Sequence, residues 1–199
     1  MRSRLTVLAL AAALGALSAP GLASGAKRQA AKPAKPAKPA KKTKKAKPKG
    51  PTASQIRAAL AKAKHSPNLW ATVNVCMSAP GQDTVGIRGQ MPSLGFATTL
   101  TMDVSVSYWN NSTSMFDPVG ATSTVSLGKG TKGIHQGGVS FPFAPPGTGS
   151  QYIVRGTVTF EWSLGSKLIG KVTRNTGHGY PNVAFSNPPG FSAGTCTLT

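Results

Sequence analysis

The residues able to do chemistry are few and scattered. The 199-residue chain has four acidic side chains, Asp83, Asp103, Asp117 and Glu161. Glycoside hydrolysis needs two carboxylates facing each other across one cleft. Asp103 and Glu161 fall on outward positions of expected strands and could be neighbours, but a solvated strand charge accounts for each of them. His65, His135 and His178 have no histidine or carboxylate two to five residues away, which is the clustering a zinc centre normally needs. Serines abound without a Gly-x-Ser-x-Gly elbow or an acid and histidine placed to activate one. Gly128-Lys129-Gly130-Thr131-Lys132-Gly133 lacks the spacing and following helix of a phosphate-binding loop and reads as a hairpin loop. The pattern calls for no cofactor and no metal, and the expectation is a protein that is not an enzyme.

Aromatic side chains offer a different chemistry. Trp109 falls on the polar face of its strand, with Phe116 in the next loop. Tyr180, Phe185 and Phe191 lie in a segment rich in Pro, Gly and Asn. Trp109, Tyr180 and Phe185 are the candidate ligand-facing aromatics, able to stack on sugar rings. The competing role is to plug the ends of the fold.

The basic excess is large, 23 Lys+Arg against 4 Asp+Glu, and it is unevenly placed. Lys27, Arg28, Lys32, Lys35, Lys38, Lys41, Lys42, Lys44, Lys45, Lys47 and Lys49 are 11 cations in a stretch without an acid. From Ser66 onward 7 basic residues face 4 acidic ones, a difference of only +3. Residues 27–51 repeat Lys-Pro-Ala, hold no large apolar side chain and repel themselves, so they are expected to be a disordered, extended arm. This arm resembles the lysine/alanine/proline tails of linker histones and of bacterial heparin-binding adhesins. The resemblance implies binding to polyanions, here anionic cell-envelope polymers.

Residues 1–26 have the form of a signal peptide. Arg2 and Arg4 precede an apolar run of 13 residues, Leu5 to Leu17, and small residues follow. Cleavage after Ala26 or after Ala23 fits the small-x-small rule. A helix of that run would span roughly 20 Å against about 30 Å of hydrocarbon, so no stable membrane span is expected. The mature protein is expected to be secreted or held at the cell surface. Cys76 and Cys196 are then expected to form a disulfide.

Three elements must position these groups. Over residues 52–65, Thr52 and Gln55 have capping-box spacing. Ile56, Ala59, Leu60 and Ala63 recur at helical intervals, giving a short basic helix that either packs on the domain or continues the arm. Residues 66–199 alternate between apolar and polar positions, most clearly over Leu100–Trp109 and Tyr152–Leu164. Further strands are expected at 69–78, 85–91, 121–127, 139–143, 167–175 and 192–198, with Gly165-Ser166 as a two-residue hairpin turn. Some seven to nine short strands with no helix between them predict an all-β antiparallel sandwich.

The runs Val73-Asn74-Val75-Cys76, Arg155-Gly156-Thr157-Val158-Thr159-Phe160-Glu161-Trp162 and Pro188-Pro189-Gly190-Phe191-Ser192-Ala193-Gly194-Thr195-Cys196 resemble small, uncharacterised secreted proteins of high-GC Gram-positive bacteria. That resemblance implies an immunoglobulin-like sandwich and no particular activity. The two cysteines lie too far apart in sequence for the usual immunoglobulin bridge and fit a link between first and last strands, which leaves the topology open. Three functions are compatible: a surface-associated protein adhering through its arm, an extracellular carbohydrate-binding module with the arm as spacer, and a secreted hydrolase. The sandwich's own ligand, glycan or protein, is not specified by the sequence.

Overall fold

A computed structural model describes residues 50–199. Segment 1–26 and all the arm cations from Lys27 to Lys49 lie outside the described residues. The chain enters through helix α1 (Ala53–Lys64), whose Thr52 cap and Gln55 form the reciprocal capping box. Twelve residues with two large apolar anchors are marginal alone. This helix is held by tertiary contacts: Leu60 and Ala63 are buried, and Arg174 donates to the Lys64 carbonyl at 2.8 Å.

Eight strands follow: β1 (Trp70–Met77), β2 (Asp83–Pro92), β3 (Thr98–Asn110), β4 (Met115–Gly130), β5 (Ile134–Phe143), β6 (Tyr152–Leu164), β7 (Lys167–Asn175) and β8 (Cys196–Leu198). They form two antiparallel sheets, β1-β2-β5 and β4-β3-β6-β7, with β8 paired to the first residues of β6. This is an immunoglobulin-like β-sandwich. The alternation in β3 and β6 sets the register. Leu100, Met102, Val104, Val106, Val154, Val158, Phe160 and Trp162 point into the core, against Val73, Val85, Ile87 and Met91 of the other sheet. A slip of one residue would turn all of them to solvent. The one polar atom carried into this core by Trp162 is satisfied, since its Nε1 donates to the Pro92 carbonyl at 2.9 Å.

Several boundaries differ from the sequence expectation for local reasons. β4 begins at Met115 rather than near Ala121, because Phe116, Asp117 and Pro118 pair with Trp109, Tyr108 and Ser107, and a bulge in β4 between Pro118 and Thr122 shifts the register beyond them. β5 begins at Ile134, where pairing with Pro92 to Gly89 holds a stretch that lacks alternation. The last strand is confined to Cys196–Leu198, while Ala193 exchanges backbone hydrogen bonds with Val73. Gly165 takes a φ of +62° in the β6–β7 hairpin turn, a conformation other residues adopt at a cost.

The segment between β7 and β8 runs along the outer edge of β1. Gly177 and Asn187 donate to the carbonyls of Ala71 and Asn74, both at 2.8 Å. It then reaches β5, where Gln136 donates to the Asn182 carbonyl and accepts from the Ala184 amide. Edge strand β1 is thereby covered, which blocks strand addition there. Cys76 of β1 and Cys196 of β8 are disulfide-bonded, with a Cα–Cα distance of 5.4 Å. The bond joins the first and last strands.

Candidate functional site

Outward positions of the β4-β3-β6-β7 ladder are almost all hydroxyl-bearing or polar. Across the ladder, Thr124, Asp103, Thr159 and Thr173 form one row. Thr124 Oγ1 donates to Asp103 Oδ1 at 2.6 Å, and the Thr159 and Thr173 hydroxyls lie 2.8 Å apart. In the adjacent row Thr101, Glu161 and Lys171 are direct partners. Asp103 and Glu161 are therefore diagonal neighbours on one flat face. They do not oppose each other across a cleft, the arrangement glycoside hydrolysis requires.

One end of this face carries an aromatic–guanidinium cluster. Trp109 and Phe116 are cross-strand partners, and their rings meet edge to face at 5.2 Å. The guanidinium carbon of Arg155 lies 4.0 Å from the Phe116 ring centroid. Its Nε is buried and has no hydrogen-bond partner among the described residues. Asp117, next to Phe116 in sequence, accepts from Asn110 at 2.7 Å. An indole beside a guanidinium without a carboxylate can stack on a sugar ring and hold an anionic substituent of that ring.

The other two candidate aromatics lie elsewhere. Tyr180 stacks on the buried Trp70, with centroids 5.0 Å apart and planes 10° from parallel. Phe185 is 84% exposed, and its ring lies 5.0 Å from the Arg88 guanidinium carbon. Arg88 projects from the outer face of β2 between Thr72 and Gly138. Burial holds its guanidinium below the usual arginine range. Trp109 thus belongs to one sheet face, and Tyr180 and Phe185 to the segment covering the other sheet.

Two further groupings were missed by sequence reasoning. Ser93 Oγ lies 3.0 Å from His135 Nε2, a nucleophile–base distance, and Ser93 also donates to the Lys132 carbonyl at 3.2 Å. His135 pairs with Met91 at one end of the β2–β5 ladder, whereas Asp83 pairs with Phe143 at the other end. No described carboxylate orients this histidine. The pair lies 42 residues apart in sequence, and no local spacing signals it. The second grouping is an apolar cleft of about 380 Å³ lined by Tyr108, Val119, Phe143, Tyr152 and Val154. Tyr108 and Tyr152 continue the core-facing alternation of their strands, yet they stand 38% and 40% exposed. Pattern alone marks them as core.

Glycines and lysines from Gly128 to Gly133 form the end of β4 and the turn into β5. Among the described residues no group of three or more His, Cys, Asp or Glu is placed to hold a metal. No helix there is long and apolar enough to cross a membrane.

No family model and no curated protein matches the chain. Among solved structures, it is similar to part of a glycosyl hydrolase family 2 member from Bacteroides cellulosilyticus, at 17% identity and TM-score 0.34, over 64% of this chain and 16% of that one. It is likewise similar to part of Bacteroides uniformis beta-glucuronidase 2, at 14% identity and TM-score 0.34, over 56% of this chain and 13% of that one. The chain spans about a sixth of the length of these proteins or less.

Proposed function

We propose that the mature protein is an extracytoplasmic, non-enzymatic β-sandwich that adheres to anionic polymers of the cell envelope through its cationic arm. The observation that carries this reading is the charge distribution: 11 cations without an acid between Lys27 and Lys49, against a difference of +3 over the whole of residues 66–199. Clustered lysines neutralise phosphates or sulfates and free condensed counterions. Charge neutralisation of this kind reads neither base nor sugar, so polymers rank by charge density. The disulfide is compatible with an oxidising compartment.

The test is a salt titration of intact protein and of protein lacking residues 27–51, on duplex DNA, heparin and teichoic acid. If half the arm engages at once, log K against log[salt] falls with a slope of about −4 to −5 on duplex DNA. Truncation abolishes binding. Undiminished affinity after truncation, or a flat salt dependence, would overturn the reading.

The Trp109–Phe116–Arg155 cluster favours a second reading, an extracellular carbohydrate-binding module with the arm as spacer. Its signature is glycan binding that survives removal of the arm and is lost in Trp109→Ala.

A further inference from the structure

The outer face of β6 carries charge at both ends, and only one end is balanced. Glu161 faces Lys171 across the β6–β7 ladder, and the neighbouring Asp103 accepts from Thr124. Arg155 lies toward the other end, opposite Ser107, whereas Asp103 stands opposite Thr159. Four residues of strand, about 13 Å, separate Arg155 from the level of Asp103. Asp117 sits at the level of Tyr108 and accepts from Asn110. The Arg155 Nε is shut in without a partner and is out of a ligand's reach, but the two Nη groups are not closed off.

Stacking on Phe116 holds the guanidinium at 4.0 Å, and Trp109 meets the same phenyl ring at 5.2 Å. All three side chains are half-buried. Their positions are therefore set before a ligand arrives, and less rotamer freedom is lost on binding. An arginine held this way presents its two terminal amines as a planar fork, which matches a carboxylate bidentately. We propose that this end of the outer face binds acidic sugars of the hexuronate class, the Trp109 indole taking the pyranose ring and the Arg155 Nη groups its carboxylate. The inference rests on the carbohydrate-binding reading of the cluster and names the class of sugar.

A hexuronate carries its carboxylate directly on a ring carbon. Ring and charge then stand as close together as the indole and the guanidinium, which share contact with one phenyl ring. A sulfate or phosphate ester stands one bridging oxygen further out. The Ser107 hydroxyl, opposite Arg155 in the ladder, makes only a long hydrogen bond of 3.5 Å to the Arg155 carbonyl and is free to turn to a ring hydroxyl. This site differs in kind from the arm. Clustered lysines respond to charge density, whereas a fixed fork beside an indole reads where the charge sits on the sugar.

The experiment uses the full chain at roughly 0.5 M salt, where the Debye length is only about 4 Å and the arm's long-range attraction is screened. The probes are tetragalacturonate and tetraglucuronate, each also as its methyl ester. Calorimetry gives affinity, and tryptophan emission reports on Trp109, since Trp70 and Trp162 are buried. Expected is at least one acid that binds about tenfold tighter than its ester, the usual effect of a hydrogen bond to a charged group. Arg155→Gln binds acid and ester alike, and Trp109→Ala binds neither. The arm is intact in all three proteins and cannot supply the difference. Equal affinity of acid and ester for the parent, or an unchanged acid preference in Arg155→Gln, overturns the acidic-sugar inference and leaves the carbohydrate reading in place. No binding of any probe, or binding retained by Trp109→Ala, overturns both. If Arg155→Gln does not fold, Arg155→Lys decides. It keeps the charge but not the fork, and an acid preference several-fold smaller supports the site, whereas an unchanged one overturns it.

Discussion

Leu60 of α1 lies over Gly170 of β7, in the space that a side chain at position 170 would take. This contact seats the helix on the sandwich, because Leu60 and Ala63 are its buried residues. Leu60→Ala is expected to lower stability by about 2 kcal/mol, the low end for a core leucine, since the site is peripheral. Gly170→Val should cost a similar amount by expelling Leu60. The two changes remove one contact, so the double variant should be less destabilised than the sum of the singles. Denaturant midpoints of the three variants measure this, and strict additivity would mean that the helix is seated by other contacts.

How much of this was legible follows from which interactions are local. Thr52 and Gln55 are three residues apart, so the cap is written in sequence and was found. The alternation of Leu100 to Tyr108 and of Tyr152 to Leu164 is equally local, because one buried face imposes period two. The start of β4 was not legible. Met115-Phe116-Asp117-Pro118-Val119-Gly120 carries loop residues, and pairing with β3 overrides them. Arg155 and Phe116, or Ser93 and His135, meet only once the sheets are assembled. Asp83 lies outside the expected strand 85–91, and its burial follows only from the folded β1–β2 turn.

The Cys76–Cys196 bond closes a loop with a separation of 120 residues. In the chain-entropy model this stabilises the fold by about 4–5 kcal/mol. Replacing both cysteines with serine should lower Tm by about 10–20 °C for a domain of this size. Calorimetry of oxidised protein and of the double variant measures it. A change of less than a few degrees would mean that the denatured chain is already compact without the bond.

The Ser93–His135 pair has a nucleophile–base distance but no orienting acid, and the hydroxyl is also within reach of the Lys132 carbonyl. The expected role is to fasten the β4–β5 turn. Ser93→Ala should cost about 1 kcal/mol, the usual value of a hydrogen bond. Fluorophosphonate probes should leave the intact protein unlabelled at neutral pH, as read by intact mass. Covalent labelling at Ser93 would restore the hydrolase reading.

Arg88 provides the last prediction. Its guanidinium is partly buried, its Nε has no partner among the described residues, and the nearby stabilising group is the Phe185 ring. Burial disfavours the charged form, which lowers the folded-state pKa. The sign follows from linkage: the unfolded chain holds this proton more tightly than the folded one, so the charge opposes folding wherever both states are protonated. That range includes neutral pH, and the cost is relieved only as pH rises toward the lowered value. Arg88→Met keeps an apolar stem of similar reach, removes the buried charge, and forfeits a cation–π contact of about 0.5–1 kcal/mol. Its Tm is therefore expected to equal or exceed that of the parent, whereas Arg88→Ala, which also loses the stem, should melt lower. Thermal unfolding of both variants at neutral pH decides. A clear fall in the Tm of Arg88→Met would show that the guanidinium has a stabilising partner beyond Phe185.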